Sequence, residues 1–151
     1  MDTKQINRVL KKYKWTKKEF CGVIPIDYLP KDKVKRPCSY IVNTDKSTLP
    51  GRHWFAIYLP KTGNIEYFDS FGIKPMNHEV YDFMKINGNK WSYNKIQIQD
   101  TGSSSCGKIC ALYICYRSKG LTQKDFVNLF SVNTKLNEKI IKHLFKKMYN
   151  F

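Results

Sequence analysis

GRHWFAIYLPKTGNIEYFDSFG, residues 51–72, decides the fold. Residues 53–59 (HWFAIYL) are rich in aromatic and β-branched side chains, the residues that suit a pleated, buried surface. Pro60-Lys61-Thr62-Gly63-Asn64 carries turn signals, and residues 65–69 (IEYFD) read as a second strand. Two such runs around a short Gly-containing turn predict an antiparallel hairpin. In a hairpin the start of one strand faces the end of the other. His53 and Asp69 are therefore expected side by side at one sheet edge.

Upstream, residues 39–43 (SYIVN) read as a strand, and Pro25, Pro30 and Pro37 break the stretch before it into extended loop. Ile6, Val9, Leu10 and Tyr13 recur at helical spacing among lysines and predict an amphipathic first helix. Thr16 with Glu19 reads as a capping box for a short following helix or turn. Downstream, a helix is expected near 77–85 and a strand at 95–99 (KIQIQ), which ends at Gln99. A small-residue loop, DTGSSS, follows. Residues 106–117 are apolar nearly all round, the signature of a buried helix. Gly120 is placed to stop that helix. Thr122 with Asp125 resembles an N-cap. Ile140, Ile141, Leu144, Phe145 and Met148 mark a terminal helix with lysines outside. The order predicts one α+β domain, residues 1–151, with an antiparallel sheet packed against helices.

At 151 residues the chain suits one domain, and 42% hydrophobic with 15% aromatic content excludes disorder as a description of the whole. No apolar run approaches the roughly 18–20 residues of a membrane span, and the first residues lack the apolar core of a secretory signal. Cys21, Cys38, Cys106, Cys110 and Cys115 form an odd set with no C-x-x-C pair. That predicts free thiols in a reducing compartment rather than secretion. Cys106, Cys110 and Cys115 would hold zinc only with distant ligands, so no metal is expected.

The formal charge is +15. Residues 1–52 carry +8, residues 53–106 are neutral and residues 107–151 carry +7. The basic helices at the two ends of the chain therefore predict a phosphate-driven, sequence-tolerant contact with DNA.

Chemistry is expected where three features converge. Asp69 is placed to accept a proton from one His53 nitrogen and so fix the tautomer. Cys106 opens the buried helix, where unsatisfied N–H groups and the helix dipole favour a thiolate. The same N–H groups suit an oxyanion. Gln99, ahead of Cys106, is placed to add a side-chain donor.

Taken together, CSYIVNT (38–44), GRHWFAIY (51–58), YFDSFG (67–72) and QDTGSSSCGKICALY (99–113) resemble the adenain-type cysteine proteases of adenovirus, within the wider Ulp/SUMO-protease-like clan. Proteases of smaller adenovirus-like viruses or Polinton/Maverick-type elements carry a similar pattern. The resemblance implies an α+β fold with the nucleophile helix on an antiparallel sheet. It implies His53 as general base, Asp69 as orienting acid, Gln99 as oxyanion donor, Cys106 as nucleophile and Trp54 as the aromatic shielding the site and contacting substrate. It further implies an endopeptidase that cuts viral precursor proteins at Gly-containing sites, in the virion and in host nucleus or cytoplasm. No metal or organic cofactor is implied; DNA and an activating peptide are. The adenovirus enzymes tether that peptide to a cysteine between acid and nucleophile, whereas here no cysteine lies between Cys38 and Cys106. The acid is Asp69 where the adenovirus enzymes have Glu. Two alternatives stand beside this reading: a ubiquitin- or SUMO-like deconjugase, and a non-enzymatic basic DNA-binding or virion-core protein on the same fold.

Overall fold

The hairpin is the middle of a sheet, and both of its faces are covered. The computed structural model describes residues 2–48 and 53–149; Gly51 and Arg52 of the hairpin motif lie outside them. Among the described residues the sheet has five strands in sequence order: β1 (Phe20–Pro25), β2 (Cys38–Asn43), β3 (Trp54–Leu59), β4 (Ile65–Phe68) and β5 (Trp91–Tyr93). β3 runs antiparallel to both of its neighbours, β2 and β4, as expected. The outer strands β1 and β5 each run parallel to their neighbour, so the α+β sheet is mixed.

The helices are α1 (Thr3–Lys12), α2 (His78–Ile86), α3 (Cys106–Ser118), α4 (Gln123–Val127) and α5 (Thr134–Tyr149). On one face of the sheet, Ala56, Tyr58 and Phe68 join Ile6 and Leu10 of α1, nearly the whole of α3, Phe126 of α4 and Ile141 of α5. On the other face, Phe55, Ile57 and Leu59 pack on Val80, Phe83 and Met84 of α2 and on Ile26 and Leu29. β3 is buried on both sides, which explains its continuous apolar run in place of alternation. The Phe68 and Tyr113 rings stack with centroids 4.2 Å apart and pin α3 to β4.

α3 ends as expected. The Gly120 N–H donates to Arg117 O (2.9 Å) and the Leu121 N–H to Tyr116 O (3.1 Å), with Gly120 at φ +95°. These are the paired bonds of a Schellman stop, which needs a left-handed residue. Thr122 and Asp125 form a reciprocal capping box on α4.

Three local expectations are corrected. Residues 20–25 form strand β1 rather than loop. Pro25 is tolerated because it closes an edge strand, and a register shift between Phe20 and Gly22 hides the alternation. Thr16 and Glu19 form no capping box and start no helix; the turn alternative holds, with the Thr16 carbonyl accepting from the Glu19 and Phe20 N–H groups. Thr16 is buried, and its hydroxyl donates to the carbonyls of Leu10 and Tyr13, closing the end of α1. Residues 95–99 form no strand, because β5 already occupies the edge beside β4. Their Ile96-out, Ile98-in alternation is real, yet Ile98 and Gln99 send their N–H groups to the Ser70 carbonyl (2.8 and 3.0 Å).

Candidate active site

The site lies where the open end of the β3–β4 hairpin meets the first turn of α3. His53 directly precedes β3, and its carbonyl accepts from the Thr44 N–H (2.9 Å), which ties it to the end of β2. Asp69 directly follows β4 and is buried. The predicted pairing is present: His53 Nε2 lies 3.1 Å from Asp69 Oδ2. The Phe71 ring covers the imidazole at 5.3 Å.

Asp69 is held from several directions. Its Oδ1 accepts from the Phe71 N–H (2.7 Å). The Asn94 side chain clamps its backbone: Oδ1 accepts from the Asp69 N–H (3.0 Å), and Nδ2 donates to the Asp69 carbonyl (2.6 Å). Nδ2 also donates to Ile96 O (3.1 Å). The turn from Asp69 closes through the Gly72 N–H to Asp69 O (2.8 Å). Gly72 sits at φ +72°, and a Cβ there would lie 2.7 Å from the Ile96 carbonyl carbon, so the close approach of these two loops requires glycine. Sequence reasoning missed Asn94. A lone Asn after an aromatic strand has no periodic signal; its role exists only once the 94–99 loop lies on the 69–72 turn.

Cys106 opens α3 and is buried together with Gly107. The N-cap, Ser105, makes no side-chain capping bond. The first N–H groups of α3 are therefore left for the thiol and for whatever binds beside it. Trp54 packs over this turn. A Cβ on Gly107 would fall 2.9 Å from the Trp54 ring and 3.0 Å from Ile6 Cδ1, so Gly107 makes room for the indole.

Electrostatics couple the two elements. Burial opposes the His53 imidazolium, but hydrogen bonds to Asp69 and Cys106, with their charges, outweigh it and raise its pKa from 6.5 to about 9. Burial likewise opposes a Cys106 thiolate. The hydrogen bond from His53, the backbone N–H groups of Trp54 and Gly107 and the His53 charge reverse that and lower the thiol below its ordinary 9.0. One turn further along α3, Cys110 is wholly buried and burial raises its thiol well above the ordinary value. Two cysteines four residues apart thus have opposite character.

Gln99 is buried beside the same turn, in a loop rather than at a strand end. Its Oε1 accepts from the Ser70 hydroxyl (2.6 Å), and its Nε2 donates to Ser103 O (3.0 Å). A carbonyl only accepts, which fixes the orientation of the amide. Nε2 has a second N–H. The structure thus brings His53, Asp69 and Cys106 together, with His53 hydrogen-bonded to Asp69 and electrostatically coupled to Cys106, and holds Gln99 to the loop that leads into Cys106.

No family model matches the chain. The chain is similar to a cysteine protease of African swine fever virus from a Malawian tick isolate, 31% identical over 117 residues. It is 30% identical over the same length to a SUMO-1 cysteine protease from a Kenyan pig isolate of that virus. In each case the match takes in 68% of this chain and 43% of the relative, so the chain matches less than half the length of these curated relatives. The crystal structure of the African swine fever virus pS273R protease superposes with a TM-score of 0.69 at 20% identity, over 99% of this chain and 66% of that one. The central domain of an uncharacterized Legionella pneumophila protein shares the fold with a TM-score of 0.54 at 12% identity. The likeness is thus to cysteine proteases of the SUMO-protease-like clan, and not to the adenovirus processing protease in particular.

Proposed function

We propose that this chain is a cysteine endopeptidase in which His53, Asp69 and Cys106 form the catalytic triad. One observation carries the reading: an imidazole held by Asp69 at 3.1 Å is electrostatically coupled to a thiol at the uncapped N-terminus of a buried helix. The raised His53 pKa, about 9, and the lowered Cys106 pKa both favour the thiolate–imidazolium form of the pair. The thiolate adds to the scissile carbonyl. The oxyanion is held by the N–H groups at the start of α3 and by the second Gln99 N–H. His53 gives its proton to the leaving amine as the C–N bond breaks, leaving a thioester on Cys106. His53 then takes a proton from water, which attacks the thioester and releases the acid and the thiol.

The substrate class we favour is a viral or virus-like precursor protein cut at Gly-containing sites, with Trp54 narrowing the cleft against larger side chains. The fold match to a viral protease and the indole beside the nucleophile support it. DNA is proposed as an accessory, met by the lysines of α1 and α5, in the virion and the reducing compartments of the host cell; an activating peptide is a second candidate accessory. Neither metal nor organic cofactor enters these steps. A second reading is a SUMO-like deconjugase, favoured by relatives that carry SUMO-1 in their names. Incubation with Gly-containing peptides and with SUMO and ubiquitin reporters, with and without DNA over rising salt, separates the two. Cleavage of peptides alone, with a DNA stimulation that fades with salt, supports the first reading. Cleavage of the SUMO reporter alone replaces it with the second, and no cleavage of any substrate overturns both.

A further inference from the structure

A groove of about 700 Å³ opens where the end of α1, the turn after it and the ends of α3 and α5 meet. Its floor is Val9, Tyr13, Trp15 and Met148. Its rim is Arg8, Lys12, Lys14 and Lys119, and among the described residues no acidic side chain lines it. Lys119 caps the far end of α3 from Cys106, so the groove stands about 20 Å from the thiol along a 13-residue helix. It therefore lies outside the site described above.

An apolar floor inside a ring of cations selects an occupant that is apolar at its centre and anionic at its edges. Stacked nucleobases fit poorly. Lys14 Nζ already lies over one face of the Trp15 ring (5.3 Å), and Lys119 Nζ lies over the nearly buried Tyr13 ring (5.4 Å), so the groove offers no succession of open stacking faces. Trp15 is 46% exposed at the groove edge and presents apolar surface for a side chain to cover. We infer that this groove is a docking site for an acidic peptide segment that carries one large apolar side chain. On the protease reading of Cys106 it is a second foothold for the protein substrate. Binding to it does not depend on that reading.

Charge and concavity together define the test. A fluorescein-labelled peptide with one phenylalanine among glutamates, and no glycine, is titrated with the full chain by anisotropy. Binding is expected to weaken about tenfold or more in the Lys12→Glu, Lys14→Glu double variant and when the peptide phenylalanine becomes serine. Both lysines are exposed, so their reversal leaves the fold intact. Trp15→Ala is expected to act in the same direction. Lys135→Glu with Lys139→Glu, exposed on α5, is expected to change little. An equal loss from that α5 pair would reduce the effect to general charge and overturn the proposal. So would binding indifferent to the phenylalanine, or an oligothymidylate that depends on the groove more strongly than the peptide does. Binding is read without turnover, so its failure leaves the triad untouched, and loss of peptidase activity leaves the groove untouched.

Discussion

Helix α3 carries a polar cluster at each end, and the two clusters are built from the same parts. At its C-terminal end Arg117 reaches β4 and holds Glu66 with two charge-assisted bonds, Nε to Oε1 (2.7 Å) and Nη2 to Oε2 (2.8 Å). Tyr113 donates to the same carboxylate. Arg117 Nη1 donates to Leu121 O (2.6 Å), and its guanidinium lies on the Tyr58 ring. At the N-terminal end Cys106 meets His53 and Asp69 from the same hairpin. Glu66 and Asp69 stand three residues apart on one strand and its exit. The first cluster is closed, because the charges face each other, both Glu66 oxygens accept and each Arg117 nitrogen donates. The second is open: its helix start has no side-chain cap, and its charge sits on a nucleophile. A saturated network stabilises; one with spare donors is ready to receive a developing charge.

The contrast predicts that changes at the open end remove activity without stability, and changes at the closed end do the reverse. The largest effect is expected from Cys106→Ala, which should lower peptide turnover about 10⁵-fold or more and leave thermal unfolding unchanged. Residual turnover near the wild-type rate would assign the chemistry elsewhere. Asp69→Asn should cost less, roughly a thousandfold, because an orienting group is less essential than the nucleophile.

The pH profile sharpens this second case. Activity requires a thiolate and an imidazolium together. It should rise as Cys106 deprotonates, below the ordinary thiol value of 9.0, and fall as His53 loses its proton near 9. Removing the Asp69 charge should move the alkaline limb downward, read from kcat/KM against pH. An unmoved limb would mean that Asp69 does not hold the imidazolium.

Glu66→Ala should leave the half-buried Arg117 without its partner and cost about 2 kcal/mol, a fall of roughly 6 °C in Tm. Below the transition, kcat should stay within a few-fold of wild type. A collapse of kcat in folded protein would break the division between the two ends. The smallest effect is expected from Asn94→Ala, about tenfold in kcat with KM nearly constant, because it loosens the backbone that carries Asp69 without touching substrate.

The candidate site was legible to the extent that it is local. His53, Asp69 and Cys106 were readable because a hairpin places its two open ends together whatever packs around it, and because a small-residue loop before an apolar run marks a helix start. Gln99 was readable as a polar residue shortly before Cys106, but not as a loop residue fixed by Ser70 and Ser103. Asn94 was not readable at all. The strand at 95–99 failed because alternation reports which side chains are buried, not whether an edge is free to pair. β1 failed because a register shift and a terminal proline erase the pattern that period-two reading depends on.

By itself the sequence determined the central hairpin, the buried helix with its glycine stop, the neutral middle between basic ends, and the residues proposed to carry the chemistry. Each is written in near-neighbour spacing, where backbone geometry leaves little choice. Only the tertiary structure decided that the outer strands run parallel, that two neighbouring cysteines of α3 differ in character, and that one end of that helix is saturated while the other is left open. Those properties depend on burial and on partners distant in sequence, and the free energy that sets them does not exist until the chain has packed.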